Sequence, residues 1–230
     1  TRLLDEPTQK RDVLARVGRL YETELANPVA AVDTYRSILD EDPSHAAARQ
    51  ALWSMIERGE EPESCAAILE PILRSEGVFG DLVTLQRKRI EFVMDEGARR
   101  DIYVDIAQVS ESQLEDLRGA FDAYAAAARE SLREEELAQL ERLAGLAGAW
   151  ESVVSLFSEL WEEAIDPAMR TSIGLRIARI REERLEDAAG AIEAYVRVHE
   201  EDPSQLDALS NLDRLYQYAE RWEELADIIQ

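Results

Sequence analysis

Two histidines and one cysteine are the side chains of this sequence best suited to catalysis or metal binding. His45 and His199 are the only histidines, and neither has a cysteine or a carboxylate at metal-ligand spacing. Cys65 lies beside the small apolar residues 66–68, with no basic group near it in the sequence, which is typical of a buried filler rather than a nucleophile. We therefore predict structural roles for all three side chains, no bound metal and no cofactor.

Neighbouring carboxylates are the next candidates for chemistry, because paired acids can act as general acid and base. They occur at residues 60–61, 134–136, 162–163 and 200–201. In a chain with 49 acidic residues, such pairs are expected on solvated helix faces rather than at a catalytic site. Glycine-rich phosphate loops, HExxH motifs and calcium loops are absent from the sequence. We predict that the protein is not an enzyme.

The charge balance narrows the classes of partner. Acidic residues outnumber 26 basic ones, and the net charge is −23. This argues against nucleic acid, which requires a basic surface, and against anionic membranes. The basic clusters at 87–89 and 99–100 are expected to pair with acidic helices. No apolar run approaches the roughly 18 residues of a membrane helix, so direct membrane insertion is not predicted.

Cysteine content and residue usage give a weak indication of origin and compartment. A single cysteine cannot form an internal disulfide, and no signal peptide is visible, so we expect a cytoplasmic protein. Nearly all the positive charge is arginine, and alanine and glutamate are abundant, which is typical of a GC-rich bacterial genome.

Apolar residues recur at intervals of three and four through almost the whole chain, which is the pattern of amphipathic helices. Short breaks containing proline, glycine or aspartate interrupt this pattern every 12–18 residues or so. The pattern predicts about thirteen helices, over residues 9–26, 29–41, 44–58, 62–76, 80–95, 98–114, 117–130, 133–147, 150–164, 168–184, 188–200, 204–218 and 221–230.

The helices belong to a repeated unit. Tyr35, Tyr124 and Tyr195 each follow an alanine by four residues and precede an alanine or an aliphatic residue by three. The intervals between the tyrosines are 124 − 35 = 89 and 195 − 124 = 71 residues, and the difference of 18 is one helix with its turn. We predict that the whole chain, 1–230, is one repeat domain with units at about 8–96, 97–166 and 167–230, and that the first unit contains an inserted helix near 61–77.

This pattern resembles the tetratricopeptide repeat (TPR), a helix–turn–helix unit of about 34 residues. The second helix keeps its alanine, aromatic and proline spacing in Ala31, Tyr35, Ile38 and Pro43, in Ala191, Tyr195, Val198 and Pro203, and, without the proline, in Ala120, Tyr124 and Ala127. The first helix has its own pattern, in which a large residue is followed by an aliphatic, a small and an aromatic residue. Leu14, Val17, Gly18 and Tyr21 match this pattern, and so do Tyr103, Ile106 and Ala107, whereas Gly174 replaces the large residue in the third copy. The resemblance implies an all-α, right-handed α-solenoid of antiparallel hairpins; half-a-TPR or HEAT-like repeats are the nearby alternative.

The resemblance also implies ligand contacts on the first helix of each copy, at the concave side. These positions are Asp12, Ala15, Arg19, Glu22 and Thr23; Asp101, Val104, Gln108, Glu111 and Ser112; and Ser172, Leu175, Arg179, Glu182 and Glu183. The lysine and asparagine with which chaperone-binding members clamp a peptide carboxylate are replaced by Asp12 and Arg19. A basic or mixed-charge partner therefore suits this surface better, and a solvated surface without a ligand is the alternative.

The predicted function is a non-catalytic scaffold that binds a protein or peptide on its concave surface. The alternative is a structural spacer or oligomerisation segment of a large assembly. Residues 3–7 resemble the end of a preceding repeat, and the last helix lacks a polar cap. We therefore expect a fragment of a longer array or, as the alternative, self-association that buries the uncapped ends against another copy.

Overall fold

The structure is a computed structural model that describes residues 6–229 of the chain. Over these residues it contains thirteen α-helices and no strand. The helices are α1 (Glu6–Thr23), α2 (Pro28–Glu41), α3 (Ala46–Glu57), α4 (Pro62–Glu76), α5 (Phe79–Ile90), α6 (Glu96–Ser112), α7 (Leu117–Glu130), α8 (Glu134–Ala147), α9 (Trp150–Glu163), α10 (Pro167–Glu183), α11 (Ala188–Glu201), α12 (Leu206–Tyr218) and α13 (Trp222–Ile229).

Proline and short polar side chains begin the helices where the sequence predicts them. Pro28, Pro62 and Pro167 occupy the first turn of α2, α4 and α10, where their missing N–H costs nothing. The largest difference is at α5, which ends at Ile90 rather than near residue 95. The Asp95 carboxylate accepts a hydrogen bond from the Ala98 backbone N–H at 2.7 Å and so starts α6 instead of extending α5.

The turn before the second helix of each copy has the same backbone conformation. Ala26, Glu115 and Glu186 have φ of 46°, 54° and 54°, the left-handed region that a side chain disfavours. Their spacings, 115 − 26 = 89 and 186 − 115 = 71, equal the intervals of the tyrosines. A side-chain N-cap follows each turn, at Asn27, Asp116 and Asp187. The three copies are therefore structural repeats as well as sequence repeats.

The small and large residues of the repeat form the core. The alanines Ala31, Ala120 and Ala191 are fully buried, and the tyrosines four residues later are buried beside them. In the first copy the helices approach so closely that a Cβ on Gly18 would lie 2.6 Å from Tyr35 Cε1. Within each of the two units described below, consecutive helices pack on one another, and contacts such as α1 with α3 and α2 with α4 link alternate helices. This is the all-α, TPR-like solenoid packing that the residue pattern predicts.

The chain divides into two compact units, with unit 1 ending at Glu115 and unit 2 beginning at Asp116. In unit 1, α1 contacts α3 and α3 contacts α5, whereas α2 contacts α4. Asp105 of α6 binds Arg74 of α4, which places α6 beside α4 rather than beside α3. In this unit, odd-numbered helices contact odd-numbered ones and even-numbered helices contact even-numbered ones, so the helices form two layers. Because α6 comes five helices after α1, the two helices lie in different layers although their sequences are related.

In unit 2, α10 departs from the repeat pattern at Gly174, and a tryptophan compensates for the missing side chain. A Cβ on Gly174 would lie 2.7 Å from Trp161 Cζ2 and 2.5 Å from Val198 Cγ2. The indole of Trp161 from α9 is buried in this space, and the Arg197 guanidinium lies 4.2 Å from the centre of its ring.

One expectation about a single residue was wrong. Glu136, one of the carboxylates expected on a solvated face, is only 1% exposed in the first turn of α8, where the helix dipole favours an acid. Trp222 is 60% exposed at the start of α13. The proposed repeat limits and a superhelical hand stay predictions, and residues 3–5 of the predicted preceding repeat lie outside the described residues.

Candidate functional site

Three of the five predicted contact residues of the first copy, Ala15, Arg19 and Glu22, line a groove between α1 and α3. We call it the α1–α3 groove; its volume is about 230 Å³. The residues that line it are Ala15, Arg19 and Glu22 of α1, Tyr35 of α2, Ala47, Gln50, Ala51 and Ser54 of α3, and Arg58 just after α3. The small alanines keep its floor open, and its walls carry polar groups, so the groove suits an extended chain rather than a bulky apolar ligand.

Glu22 organises one wall of the α1–α3 groove. Its carboxylate accepts a hydrogen bond from the Tyr35 hydroxyl at 3.1 Å and another from Arg58 Nη2 at 2.6 Å. Burial, followed by the Glu22 charge, raises the pKa of Tyr35 well above its ordinary value. Arg58 also binds Glu60 at 2.9 Å. The Glu22 carboxylate is therefore already satisfied, and it fixes the tyrosine instead of offering a free charge.

Arg19 is the cation that this groove leaves available. Its side chain is exposed and makes no ion pair among the described residues, although its charge acts on Tyr35. Thr23 does not share this role, since its hydroxyl donates to the Arg19 backbone carbonyl at 2.9 Å and completes the helix end. Asp12 lies about two turns before Arg19, with its carboxylate 3.8 Å from His45 Nε2.

His45 itself is structural, as predicted. Its Nδ1 accepts a hydrogen bond from the Ala48 backbone N–H at 3.2 Å and caps the N-terminus of α3.

Unit 2 repeats this constellation 160 residues later. Arg179, Glu182 and Tyr195 stand at the positions of Arg19, Glu22 and Tyr35. Glu182 forms an ion pair with Arg214 of α12 at 2.6 Å. Burial, followed by the Glu182 charge, raises the pKa of Tyr195 to about 12, and Arg179 opposes this shift.

The cation that pairs with the glutamate differs in position between the two units. Arg214 corresponds to Ser54, one helical turn before Arg58, so the pairing cation has moved along the helix while the glutamate and tyrosine have not. Arg179 is exposed without an ion pair among the described residues, and Glu183 is exposed at the last residue of α10.

The predicted residues of the second copy do not join Arg19 and Glu22. Asp101, Gln108, Glu111 and Ser112 all lie on α6, and the Ser112 hydroxyl donates to the Gln108 carbonyl at 2.6 Å. Asp101 lines a different cavity, of about 520 Å³, which we call the α4–α6 cleft. Its lining residues are Glu63, Glu70 and Arg74 of α4, Gln86 and Arg89 of α5, Phe92, Val93, Met94 and Asp95 of the following turn, and Ala98, Asp101, Ile102 and Asp105 of α6.

Ion pairs connect the helices around the α4–α6 cleft. Arg74 donates to both carboxylate oxygens of Asp105, at 2.7 and 2.6 Å, and to Glu70 at 2.9 Å. Arg89 donates to Glu63 at 2.8 Å, which confirms the predicted pairing with an acidic helix for this member of the cluster 87–89, whereas Lys88 pairs with Glu91 just after its own helix. Gln86 is buried in the cleft wall and donates to Asp105 at 3.0 Å.

Three residues of these sites were not predicted from the sequence. Arg58 follows α3 and Arg214 lies in α12. The repeat pattern is weak in both of these helices, so no motif identifies either arginine. Gln86 had a usable signal, because it is a polar residue on the apolar stripe formed by Leu82, Val83 and Leu85. A polar side chain on such a stripe is the informative exception in a helix.

Neither groove contains an arrangement typical of catalysis. Burial, followed by the charges of Glu61 and Glu60, raises the pKa of the Cys65 thiol to about 12, which suppresses the thiolate. Among residues 6–229, no three histidine, cysteine or carboxylate side chains are grouped so that they could hold a metal ion. None of the helices in that range is long and apolar enough to span a lipid bilayer.

No protein-family model matches the chain, and no curated protein matches it. Solved structures that it resembles include BtubC from P. vanneervenii, with 16% identity, coverage of 90% of this chain and 87% of that one, and a TM-score of 0.41. A thermophilic TPR protein of Thermus thermophilus, TTC0263, has 15% identity, coverage of 90% and 99%, and a TM-score of 0.34. The TPR2AB domain of yeast Sti1, solved with pHSP90, has 12% identity, coverage of 96% and 88%, and a TM-score of 0.32.

Proposed function

We propose that this chain is a non-catalytic scaffold that binds an extended protein segment along the first helices of its repeats. The observation that supports this is the recurrence of one constellation in both units. An exposed arginine, a glutamate and a buried tyrosine stand together at Arg19, Glu22 and Tyr35 and again at Arg179, Glu182 and Tyr195. The glutamate charge acts on the tyrosine in both units, and in unit 1 the glutamate also accepts the tyrosine's hydrogen bond. Core packing requires the tyrosines, but it does not require the arginines to be exposed and unpaired.

Each member of the constellation has a distinct role in this proposal. Glu22 fixes the tyrosine hydroxyl, and Arg58 compensates the carboxylate charge. Arg19 then donates hydrogen bonds to a carbonyl or carboxylate of the bound segment, since guanidinium binds such acceptors in a bidentate manner. The net charge of −23 increases the association rate of a basic or mixed-charge segment, while Arg19 and Arg179 bind acceptors on it.

The experiment that tests this function reverses both arginines. We expect the double variant Arg19→Glu/Arg179→Glu to lose at least tenfold in affinity for an immobilised library of mixed-charge peptides. Binding is measured by biolayer interferometry at two salt concentrations, because the electrostatic contribution decreases as salt screens it. The control double variant, Arg87→Glu/Arg118→Glu, makes the same charge change at exposed arginines outside the groove and keeps the wild-type affinity.

Two results would contradict the proposal. One is equal loss of binding in both double variants, since this would make the effect one of net charge alone. The other is unchanged binding in the Arg19→Glu/Arg179→Glu variant, which would leave the constellation without a ligand. Turnover of a substrate that is lost on changing one carboxylate would contradict the non-catalytic assignment. The cytoplasmic location stays a prediction.

A structural segment of a larger assembly is the second candidate, and exposed apolar side chains favour it. Val13 and Leu20 of α1 are exposed in unit 1, and Tyr218 and Trp222 are 88% and 60% exposed in unit 2. Contact with a neighbouring surface would remove these apolar side chains from water and lower the free energy of the assembly. This candidate predicts self-association in sedimentation velocity runs at increasing concentration, and the variant Leu20→Gln/Trp222→Gln should then sediment as a monomer. A wild-type chain that stays monomeric up to about 100 µM, near −5.5 kcal/mol of association free energy, would exclude it.

A further inference from the structure

We propose that the α4–α6 cleft of unit 1 is a second binding site, which takes a basic side chain, arginine or lysine, from a partner segment. The inference rests on the proposed protein-binding function, but it concerns other helices and other residues than the α1–α3 groove. It follows from one unsatisfied buried acceptor, from the charge balance of the cleft wall and from an apolar surface at its mouth.

The unsatisfied acceptor is the side-chain carbonyl oxygen of Gln86. The side chain is only 3% exposed, and its Nε2 donates to Asp105 Oδ2 at 3.0 Å. An ionised carboxylate only accepts hydrogen bonds, so the NH2 group must face Asp105 and the orientation of the amide is fixed. Oε1 then has no hydrogen-bond partner among the described residues. A buried acceptor without a donor is costly. Gln86 lines the cleft, and a small movement of its amide toward the cleft would let the N–H groups of a ligand reach Oε1 and remove this cost.

The charge balance of the wall selects a cation. The lining residues contribute two guanidiniums, Arg74 and Arg89, and five carboxylates, those of Glu63, Glu70, Asp95, Asp101 and Asp105. Both guanidiniums already bind carboxylates of the cleft. Carboxylates therefore outnumber guanidiniums in the lining, and an incoming anion would meet only carboxylates and occupied arginines. An incoming ammonium or guanidinium would supply the missing positive charge and the N–H donors at once.

The cation is a side chain rather than a metal ion. No group of three or more potential metal ligands is arranged for coordination among residues 6–229, and the carboxylates of the cleft are held in place by arginine. The turn after α5 adds Phe92 and Met94 to the mouth, and Met94 is 87% exposed. Phe92 is held against the turn at Gly59, where a Cβ would lie 2.9 Å from its ring. The methylene stem of arginine or lysine would cover these apolar groups, while its charged head reaches the cleft.

The test uses a fluorescein-labelled pentapeptide, Gly-Leu-Arg-Leu-Gly, and its counterpart with citrulline, the neutral analogue of arginine. We expect saturable binding of the arginine peptide by fluorescence polarisation and at least tenfold weaker binding of the citrulline peptide. Gln86→Leu should weaken the arginine peptide at least fivefold, because it removes the acceptor and keeps an apolar shape. The control Gln113→Leu makes the same change at the exposed end of α6 and keeps wild-type affinity.

Nuclear magnetic resonance locates the bound peptide independently of affinity. The side-chain amide signal of Gln86, identified by its loss in Gln86→Leu, should shift on titration with the arginine peptide and remain still with the citrulline peptide. Equal binding of the two peptides, or wild-type affinity in a folded Gln86→Leu variant, would overturn the inference. Neither result affects the proposed function, which the Arg19→Glu/Arg179→Glu variant tests on its own; conversely, that variant leaves the Gln86 signal shift intact.

Discussion

Replacement of Gly18 by alanine tests how closely α1 and α2 must approach to form the α1–α3 groove. The added Cβ would lie 2.6 Å from Tyr35 Cε1 and 2.8 Å from Cζ, about 1 Å inside the ordinary carbon–carbon separation of 3.5–4.0 Å. The ring cannot move away freely, because its hydroxyl is bonded to Glu22 at 3.1 Å and its edge is buried. The clash must therefore shift the tyrosine or the helix.

The expected change in stability is a balance of three terms. Overpacking costs about 1–3 kcal/mol, and loss of the Tyr35–Glu22 hydrogen bond costs about 1 kcal/mol. The change from glycine to alanine within a helix returns about 1 kcal/mol. Gly18→Ala should therefore destabilise the protein by about 1–3 kcal/mol, although alanine is the better helix former.

A second glycine in unit 1 provides the matched control. Gly80 lies in the first turn of α5, and a Cβ there would meet no atom within 4 Å. Gly80→Ala should therefore stabilise the protein, by up to about 1 kcal/mol, through helix propensity alone. Urea unfolding followed by circular dichroism compares the two variants, with the dependence on urea concentration fitted separately for each.

The same chemical change should thus have opposite signs at the two positions. If Gly18→Ala is as stable as the wild type or more stable, the close contact with Tyr35 is not a constraint and the argument fails. A double variant separates steric overlap from other causes. Tyr35→Leu should relieve the clash, so its effect combined with Gly18→Ala should be smaller than the sum of the two single effects.

Three further predictions concern reactivity, pH and backbone strain. Cys65 should resist modification by a thiol reagent at pH 7.5 in the native protein and react fully in urea, since burial raises its pKa to about 12; fast native labelling, monitored by mass spectrometry, would contradict this. The hydrogen bond from Arg170 lowers the pKa of Glu201 below its ordinary 4.5, so this contribution is present above that pH and lost as the pH falls through the folded-state pKa. Glu201→Gln should therefore cost about 0.2–1 kcal/mol at pH 7 and progressively less as the pH falls below 4.5, measured by urea unfolding at each pH; a cost that does not change with pH would contradict this. Glu186→Gly should stabilise the protein by about 0.5–1 kcal/mol, because glycine is unstrained at φ 54°. The control Glu193→Gly, within α11, should destabilise it by about 1 kcal/mol. If both variants change the melting temperature in the same direction, the assignment of strain at Glu186 is wrong.

Helix positions could be predicted from the sequence because their end signals are local. The prolines at 28, 62 and 167 and the capping aspartates act within one turn of the backbone, so a single sequence contains the necessary information. The predicted limits of α4 and α7, 62–76 and 117–130, agree with the structure for this reason. The left-handed turns could not be predicted, since Ala26, Glu115 and Glu186 are residue types that normally avoid that conformation.

The candidate sites were only partly predictable, because side-chain pairing depends on which helices become neighbours. The repeat pattern identified Arg19, Glu22 and Tyr35, whose relation is set within one hairpin. It did not identify Arg58, whose bond to Glu22 connects positions 36 residues apart. To identify Gln86 as a site residue, one must know that its side chain is buried and that its NH2 group donates to Asp105. Both facts depend on the position of α6.

The sequence nevertheless contains one signal of the layer in which α6 lies, a change of charge at one repeat position. One repeat position is Arg16 in α1, Asp105 in α6 and Arg176 in α10, so the charge is reversed only in the second copy. In unit 2 the neighbour of α10 is α8, whose Glu134 accepts from Arg176 at 2.8 Å. In unit 1 the neighbour of α6 is α4, which presents Arg74, and only an acid at this position can bind it. A charge reversal at one position of an otherwise regular repeat therefore indicates a change of neighbouring helix, and here it accompanies the odd number of helical steps from α1 to α6, which places α6 beside α4 at the second cleft.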